Sequence, residues 1–222
     1  MLVEKIFNFT LLGADWVLWL LIMISVISVS IMVERAVMLY RNRSDADALG
    51  HRLTELLAAG AMQESAGFLK TSNSPEARIC LIGIENLEGG LGVVEEKIAA
   101  AINKEKLEME QNVSFLGTVG ANAPFVGLFG TVLGIIKAFH DLSLGSQEGT
   151  TAVMAGISQA LVATAAGLLV AIPAVIAFNY FKEKVKEKLA NADSLVRVIF
   201  AYLKRIPPPG AAAMASVRTG EE

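Results

Sequence analysis

The sequence predicts an all-α polytopic membrane protein with three transmembrane helices, two of which continue as long cytoplasmic helices. Three observations predict it. The chain has 222 residues, 54% of them hydrophobic, which is too apolar for an ordinary soluble domain. Three stretches, 16–33, 111–136 and 149–181, contain no Asp, Glu, Lys or Arg, and each is long enough to cross a bilayer. The charged residues gather instead in amphipathic helical patterns that follow the first stretch and the third.

The first span occupies 16–33. Glu4 and Asp15 precede it and Glu34-Arg35 follows it, so it lacks the basic start and small-residue cleavage site of a signal peptide and is read as a span. Trp16 and Trp19 stand at its first end, where indoles favour the headgroup level. Asp15 and Glu34 flank it as topological charges.

From Glu34 to about Glu110 the chain is polar and helical. Ser44 is a plausible cap for a helix with Leu49, Leu53, Leu56 and Leu57 on one face. Asn73-Ser74-Pro75 breaks the pattern, and Pro75 suits the first turn of the next helix. After Gly89-Gly90 an apolar stripe of Val94, Ile98, Ala101, Ile102 and Met109 marks a helix. Its charges, Glu95, Glu96, Lys97, Lys104, Glu105, Lys106 and Glu108, form a solvated face with weak helical ion pairs. No turn signal separates this helix from the second span.

The second and third spans carry small residues at steps of three or four. In the second these are Gly120, Ala123, Gly127, Gly130, Thr131 and Gly134; in the third, Gly156, Ala160, Ala163, Thr164, Gly167, Ala171 and Ala174. Lipid tails are as apolar as Leu, so membrane helices associate where small residues let backbones approach. Gly127, Gly134, Ala160, Ala163 and Gly167 are the expected packing positions, and Leu161, Leu168, Leu169, Ile172, Val175 and Ile176 face lipid. Pro124 and Pro173 lie inside these spans and predict kinks. Beyond Phe181 the third helix continues, with Val185, Leu189, Ala192, Val196 and Ile199 near heptad spacing, until Pro207.

Nine Lys and Arg fall between Glu34 and Gly117 and eight after Phe181, but none between Ala138 and Gln159. Basic segments stay in the cytoplasm, which puts the N-terminus outside and the C-terminus inside. The chain then divides into an external segment 1–15, a span 16–33, a cytoplasmic helical domain 34–115, a span 116–139, an external loop 140–154, a span 155–181, a cytoplasmic helix 182–206 and a disordered tail 207–222.

Thr131 and Thr164 lie eight and nine residues from the outer ends of their spans, so both sit about 12 to 14 Å deep. They can form a polar ring if several copies surround a central space, or each can bond back to its own helix. Gln159, nearer the outer surface, makes either a structural interhelix bond or a functional contact. Lys137 and His140 sit interfacially at the outer mouth of the second span. Cys80 reads as a small buried hydrophobe. Neither a phosphate loop nor metal-spaced Cys and His occur, and no basic block interleaved with aromatics suggests nucleic acid. Nothing points to an enzyme or to a cofactor.

GLFGTVLGII at 127–136 and GISQALVATAAGLLVAIPAV at 156–175 resemble the two signature spans of the ExbB/TolQ/MotA family of proton-channel stator proteins, on the ExbB and TolQ side. The three-span layout and the large first cytoplasmic loop extend the resemblance over nearly the whole chain. It implies a homopentamer in the bacterial inner membrane, with the external side the periplasm. The second and third spans would enclose a dimer of ExbD/TolR-like single-span partners whose Asp carries protons. Ion flow would then deliver mechanical work to a further envelope or energy-receiving protein, for transport, envelope integrity or motility. Thr131 and Thr164 match the family's threonines, whereas Gln159 stands where the ExbB and TolQ pattern has Glu. That departure leaves 111–136 and 149–181 without Asp, Glu, Lys, His or Arg, so the relay is expected to rest on the partner carboxylate, with Thr131, Thr164 and Gln159 supplying hydrogen bonds. The alternative is a passive oligomeric scaffold or pore without energy coupling.

Overall fold

The computed structural model describes residues 15–42, 45–143 and 149–204. Among them every regular element is helical: α1 (Asp15–Arg41), α2 (Ala46–Ala58), α3 (Met62–Thr71), α4 (Pro75–Glu85), a 3-10 turn (Leu87–Gly89), α5 (Gly90–Glu110), α6 (Val113–Ser143) and α7 (Gly149–Leu203). Three helices are long and apolar enough to cross a membrane. The expected disordered tail and most of the external N-terminal segment lie outside the described residues. The chain forms two compact units, one of residues 1–35 with 112–181 and one of 36–111 with 182–222.

In the first unit the apolar parts of α1, α6 and α7 pack around Val17, Leu21, Val119, Ala123, Leu133, Ala171 and Ala174. The small-residue positions are the buried ones, apart from Gly156 and Thr164, which are half-buried. Gly120, Ala123, Gly127, Gly130, Thr131 and Gly134 are all buried on α6, as are Ala160, Ala163, Gly167, Ala171 and Ala174 on α7. Leu161, Leu168, Leu169, Ile172, Val175 and Ile176 are exposed, as expected of the opposite face. Small size is needed because backbones touch: a Cβ at Gly127 would lie 2.7 Å from the Ala163 carbonyl oxygen, and one at Gly167 would lie 2.6 Å from that of Ala123. Pro124 and Pro173 are both accommodated inside unbroken helices.

The second unit buries larger side chains. Leu49, Leu53, Leu57, Leu69, Ile79, Ile84, Val94, Ile98, Leu195, Val196 and Ile199 form its core, together with Cys80. Burial pushes the Cys80 thiol up to about 12, with the neighbouring Glu76 charge adding to the effect. Ser74 caps α4, its hydroxyl accepting from the Ala77 N–H at 3.2 Å, and Pro75 follows at the first helical position. The cap of α2 is Asp45, whose carboxylate accepts from the N–H groups of Asp47 and Ala48. The expected cap, Ser44, lies outside the described residues, and Asp serves equally well as an acceptor one position later.

Two expectations are corrected. The helix of the Val94 stripe does not run unbroken into the second span. It ends at Glu110, and Asn112 adopts φ 60° before α6 starts at Val113. Asn tolerates this left-handed conformation better than most residues, so a break is possible without Gly or Pro. The third span does continue without interruption, through the 55 residues of α7. The charges of the second unit are also not all solvated. Glu105 is buried and accepts from Arg78 Nε at 2.7 Å, and that bond holds the Arg78 guanidinium above its usual range. Glu76, only 1% exposed, receives Lys188 Nζ at 3.2 Å, and the same ammonium donates to the Asn42 carbonyl at 3.0 Å.

Candidate functional site

The hydroxyls of Thr131 on α6 and Thr164 on α7 hydrogen-bond to each other. Their matched depth, legible from helical rise alone, thus corresponds to direct contact. Thr131 Oγ1 also lies 3.2 Å from the carbonyl oxygens of Gly127 and Ala160, and Thr164 Oγ1 lies 3.4 Å from that of Gly127. A hydroxyl donates one proton and accepts through two lone pairs. The cluster therefore has two orientations: Thr164 donates to Thr131 while Thr131 donates to a carbonyl, or Thr131 donates to Thr164 while Thr164 donates to the Gly127 carbonyl. The back-bond and the interhelix contact coexist at one site. Thr131 is buried between the helices and Thr164 is half-buried.

Gly127, Ala160 and Ala163 build the walls of this cluster. The would-be Cβ contacts of Gly127 with Ala163 and with Thr164 Cα, at 3.1 Å, show that any side chain there would separate the two hydroxyls. Gly134 and Gly167 are buried on the same packing faces, each three residues C-terminal to a member of the pair.

Gln159 makes an interhelix bond, donating from its side-chain amide to the Asp15 carboxylate on α1. Sequence reasoning missed this partner. Asp15 reads as a topological charge from the sequence, and the only signal for the pair is an acidic residue at the N-terminal end of the first span and an amide in the N-terminal part of α7. Beside the pair, Trp16 meets Phe129 of α6 edge to face at 6.2 Å. A Cβ at Gly130 would touch both Val17 and Ala163, at 3.1 and 2.8 Å, so α1 abuts α6 and α7 at this level. Lys137 and His140 are half-buried near the C-terminal end of α6. Among the described residues no group of three or more His, Cys, Asp or Glu is placed to hold a metal ion.

The site can exchange hydrogen-bond direction at two hydroxyls packed against backbone, and it carries a carboxylate and an amide farther out. Such a set suits ion or proton movement along a helix interface better than bond-breaking chemistry.

Comparison with known proteins agrees with that chemistry. Residues 71–194, more than half of the chain, match the MotA/TolQ/ExbB proton channel family. The Tol-Pal system protein TolQ of Pseudomonas aeruginosa is 46% identical over 91 residues, 41% of this chain and 39% of that protein. The biopolymer transport protein ExbB of Xanthomonas campestris is 38% identical over 117 residues, 50% of this chain and 46% of that one. The chain therefore spans less than half the length of these two relatives. It aligns more fully with the biopolymer transport protein ExbB of Neisseria meningitidis, at 31% identity over 195 residues, 83% of this chain and 89% of that protein. This is a transport and channel family of membrane proteins. The chain belongs to the MotA/TolQ/ExbB proton channel family, in its ExbB/TolQ-like branch.

Proposed function

We propose that the chain is the stator subunit of a proton-motive-force-driven motor in the bacterial inner membrane. Its N-terminus is periplasmic and its C-terminus cytoplasmic, as the distribution of Lys and Arg supports. Copies assemble as a homopentamer in which α6 and α7 surround the single spans of an ExbD/TolR-like dimer, and proton flow past them is converted into work on the envelope. The observation that carries this reading is the Thr131–Thr164 hydroxyl pair, which joins the two family spans at one depth. Hydroxyls can relay a proton by reorienting but cannot store one near neutral pH. The partner's intramembrane carboxylate therefore supplies the moving charge, and Thr131, Thr164 and Gln159 line its route.

The test is purification of the tagged full chain from membranes of its own host, followed by the mass of the intact complex and proton uptake in proteoliposomes with an entrapped pH dye. The expected result is a stoichiometric single-span partner carrying an intramembrane Asp, with flux lost when that Asp becomes Asn. Thr164→Val and Thr131→Val should keep the mass of the complex while lowering flux on the order of tenfold or more, the scale of a lost positioned proton-transfer group. A partner-free oligomer that passes protons as fast as the complex would establish a passive pore instead.

A further inference from the structure

We infer that Asp15 is the carboxylate through which protons enter this route, held in place by Gln159. The inference rests on the proton-route reading above and adds to it a residue of α1, a helix that lies before the matched residues 71–194.

Three observations carry it. The Asp15 carboxylate accepts from the Gln159 side chain, so it is tied to α7 and not simply directed away from the protein. Both side chains are exposed on the surface of the unit, and Asp15 is the first residue of α1, at the end of its apolar stretch. Gln159 lies five residues outward of Thr164, about 7.5 Å at the helical rise, and Asp15 lies two residues from Val17, which abuts Gly130 next to Thr131. Along α7 the carboxylate–amide contact and the hydroxyl pair thus lie between one and two helical turns apart. Other titratable groups are farther along these helices: α7 has none from 149 to 179 and then Tyr180, α6 has none before Lys137, His140 and Asp141 near its C-terminal end, and α1 has Glu34, Arg35, Tyr40 and Arg41 toward its other end.

The step balances without a cofactor. An external hydronium gives a proton to an Asp15 carboxylate oxygen, breaking its own O–H bond and leaving water, so that an O–H bond forms on Asp15 and the side chain is neutralised. Gln159 donates to the ionised carboxylate through its N–H, and it can accept from the protonated one through its carbonyl oxygen, because an amide carries both functions. Release of the proton to a water on the threonine side breaks that O–H bond, forms hydronium there and restores the carboxylate. Gln159 is a positioning residue in this step, and Asp15 is the group that binds the proton.

Because the carboxylate and amide are neighbours on two helices, their places should be interchangeable. The full chain, purified with its co-purifying membrane partner, is assayed in proteoliposomes as wild type, Asp15→Asn, Gln159→Glu, the double variant Asp15→Asn/Gln159→Glu, and Thr164→Val. Asn keeps an acceptor oxygen and nearly the same shape, so the intact mass should not change. Flux should fall on the order of tenfold or more in Asp15→Asn, the scale of a lost proton-transfer group. It should recover to at least half the wild-type value in the double variant, which moves the carboxylate to α7. Wild-type flux in Asp15→Asn overturns the inference, and so does a loss that the double variant fails to restore or one accompanied by a change in complex mass. If Thr164→Val also runs at the wild-type rate, the proton-route reading itself has failed. If Thr164→Val is slow and Asp15→Asn is not, only the assignment of Asp15 is lost.

Discussion

The two units of this chain choose their interiors by opposite rules. In the unit of 36–111 with 182–222 the core is made of the largest aliphatic side chains, such as Leu53, Ile79 and Ile199, as water demands. In the unit of 1–35 with 112–181 the buried positions of α6 and α7 are mainly Gly, Ala and Thr, while many Leu, Ile and Phe are exposed. Lipid does not distinguish Leu from lipid, so close backbone approach decides what packs inside. The polar contacts between helices differ as well. The unit of 36–111 with 182–222 joins helices through the ion pairs Lys188–Glu76 and Arg78–Glu105. In the other unit α6 and α7 meet through the neutral Thr131–Thr164 hydroxyls and α1 and α7 through Asp15 and Gln159, while its buried Arg35 pairs with the adjacent Glu34 of the same helix.

The largest effect expected is in the buried pairs. Lys188→Met removes the ammonium that serves both the Asn42 carbonyl and Glu76, which is 1% exposed. Breaking a buried pair on one side costs about 3–5 kcal/mol, and the double variant Lys188→Met/Glu76→Leu should recover much of it. Thermal unfolding in detergent, with proteolysis mapped to residues 36–111, would measure both.

Next comes the membrane interior. Gly127→Leu forces a side chain into backbone that a bare Cβ would already meet at 2.7 Å. Overpacking of this kind costs about 1–3 kcal/mol and should separate Thr131 from Thr164. Ala163→Leu and Gly134→Leu belong to the same class, since Ala163 is fully buried and Gly134 is buried. Loss of the oligomer by native mass measurement is the expected outcome. A normal oligomer would show that small residues are not the packing determinant.

The third effect is titration in the water-facing core. The Cys80 thiol rises from an ordinary 9.0 to about 12, because burial disfavours the thiolate and the Glu76 charge disfavours it further. A raised folded value means that the unfolded chain loses its proton first. The stability contribution is complete below pH 9 and is lost as pH climbs toward 12. At about pH 10.5 the loss is about 2 kcal/mol. Cys80→Ala should flatten this alkaline slope, as read from chemical unfolding between pH 8 and 11.

Much of this was legible in one sequence because it depends on local rules. Charge-free length marked the spans, three- and four-residue steps marked the buried faces, and rise per residue matched Thr131 to Thr164. The features that escaped depend on residues far apart in the chain. Asp15 meets Gln159 across 144 positions and Lys188 meets Glu76 across 112, and nothing local to Asp15 or Glu76 distinguishes a paired carboxylate from a solvated one. The Asn112 break escaped for a different reason. Its left-handed φ is permitted to Asn but not signalled by it, and a helical pattern flanks it on both sides.

The smallest effect gives the comparison its finest test, because it uses one helix. Leu168 and Leu195 both belong to α7, in the membrane unit and the water-facing unit respectively. Leu168 is exposed on the face opposite Ala163 and Gly167, so Leu168→Phe replaces one apolar surface by another against lipid tails and should change stability by less than about 0.5 kcal/mol. Leu195 is 5% exposed in the core of the other unit, and a Cβ at Gly50 would already lie 2.9 Å from its Cδ2. Leu195→Phe adds volume where none is free and should cost about 1–3 kcal/mol. Unfolding midpoints of the two variants, measured side by side, should therefore separate clearly. If Leu168→Phe is the more damaging, the exposed face of α7 is covered by another protein surface rather than by lipid, and the rule that small residues alone mark the interior does not hold for this helix.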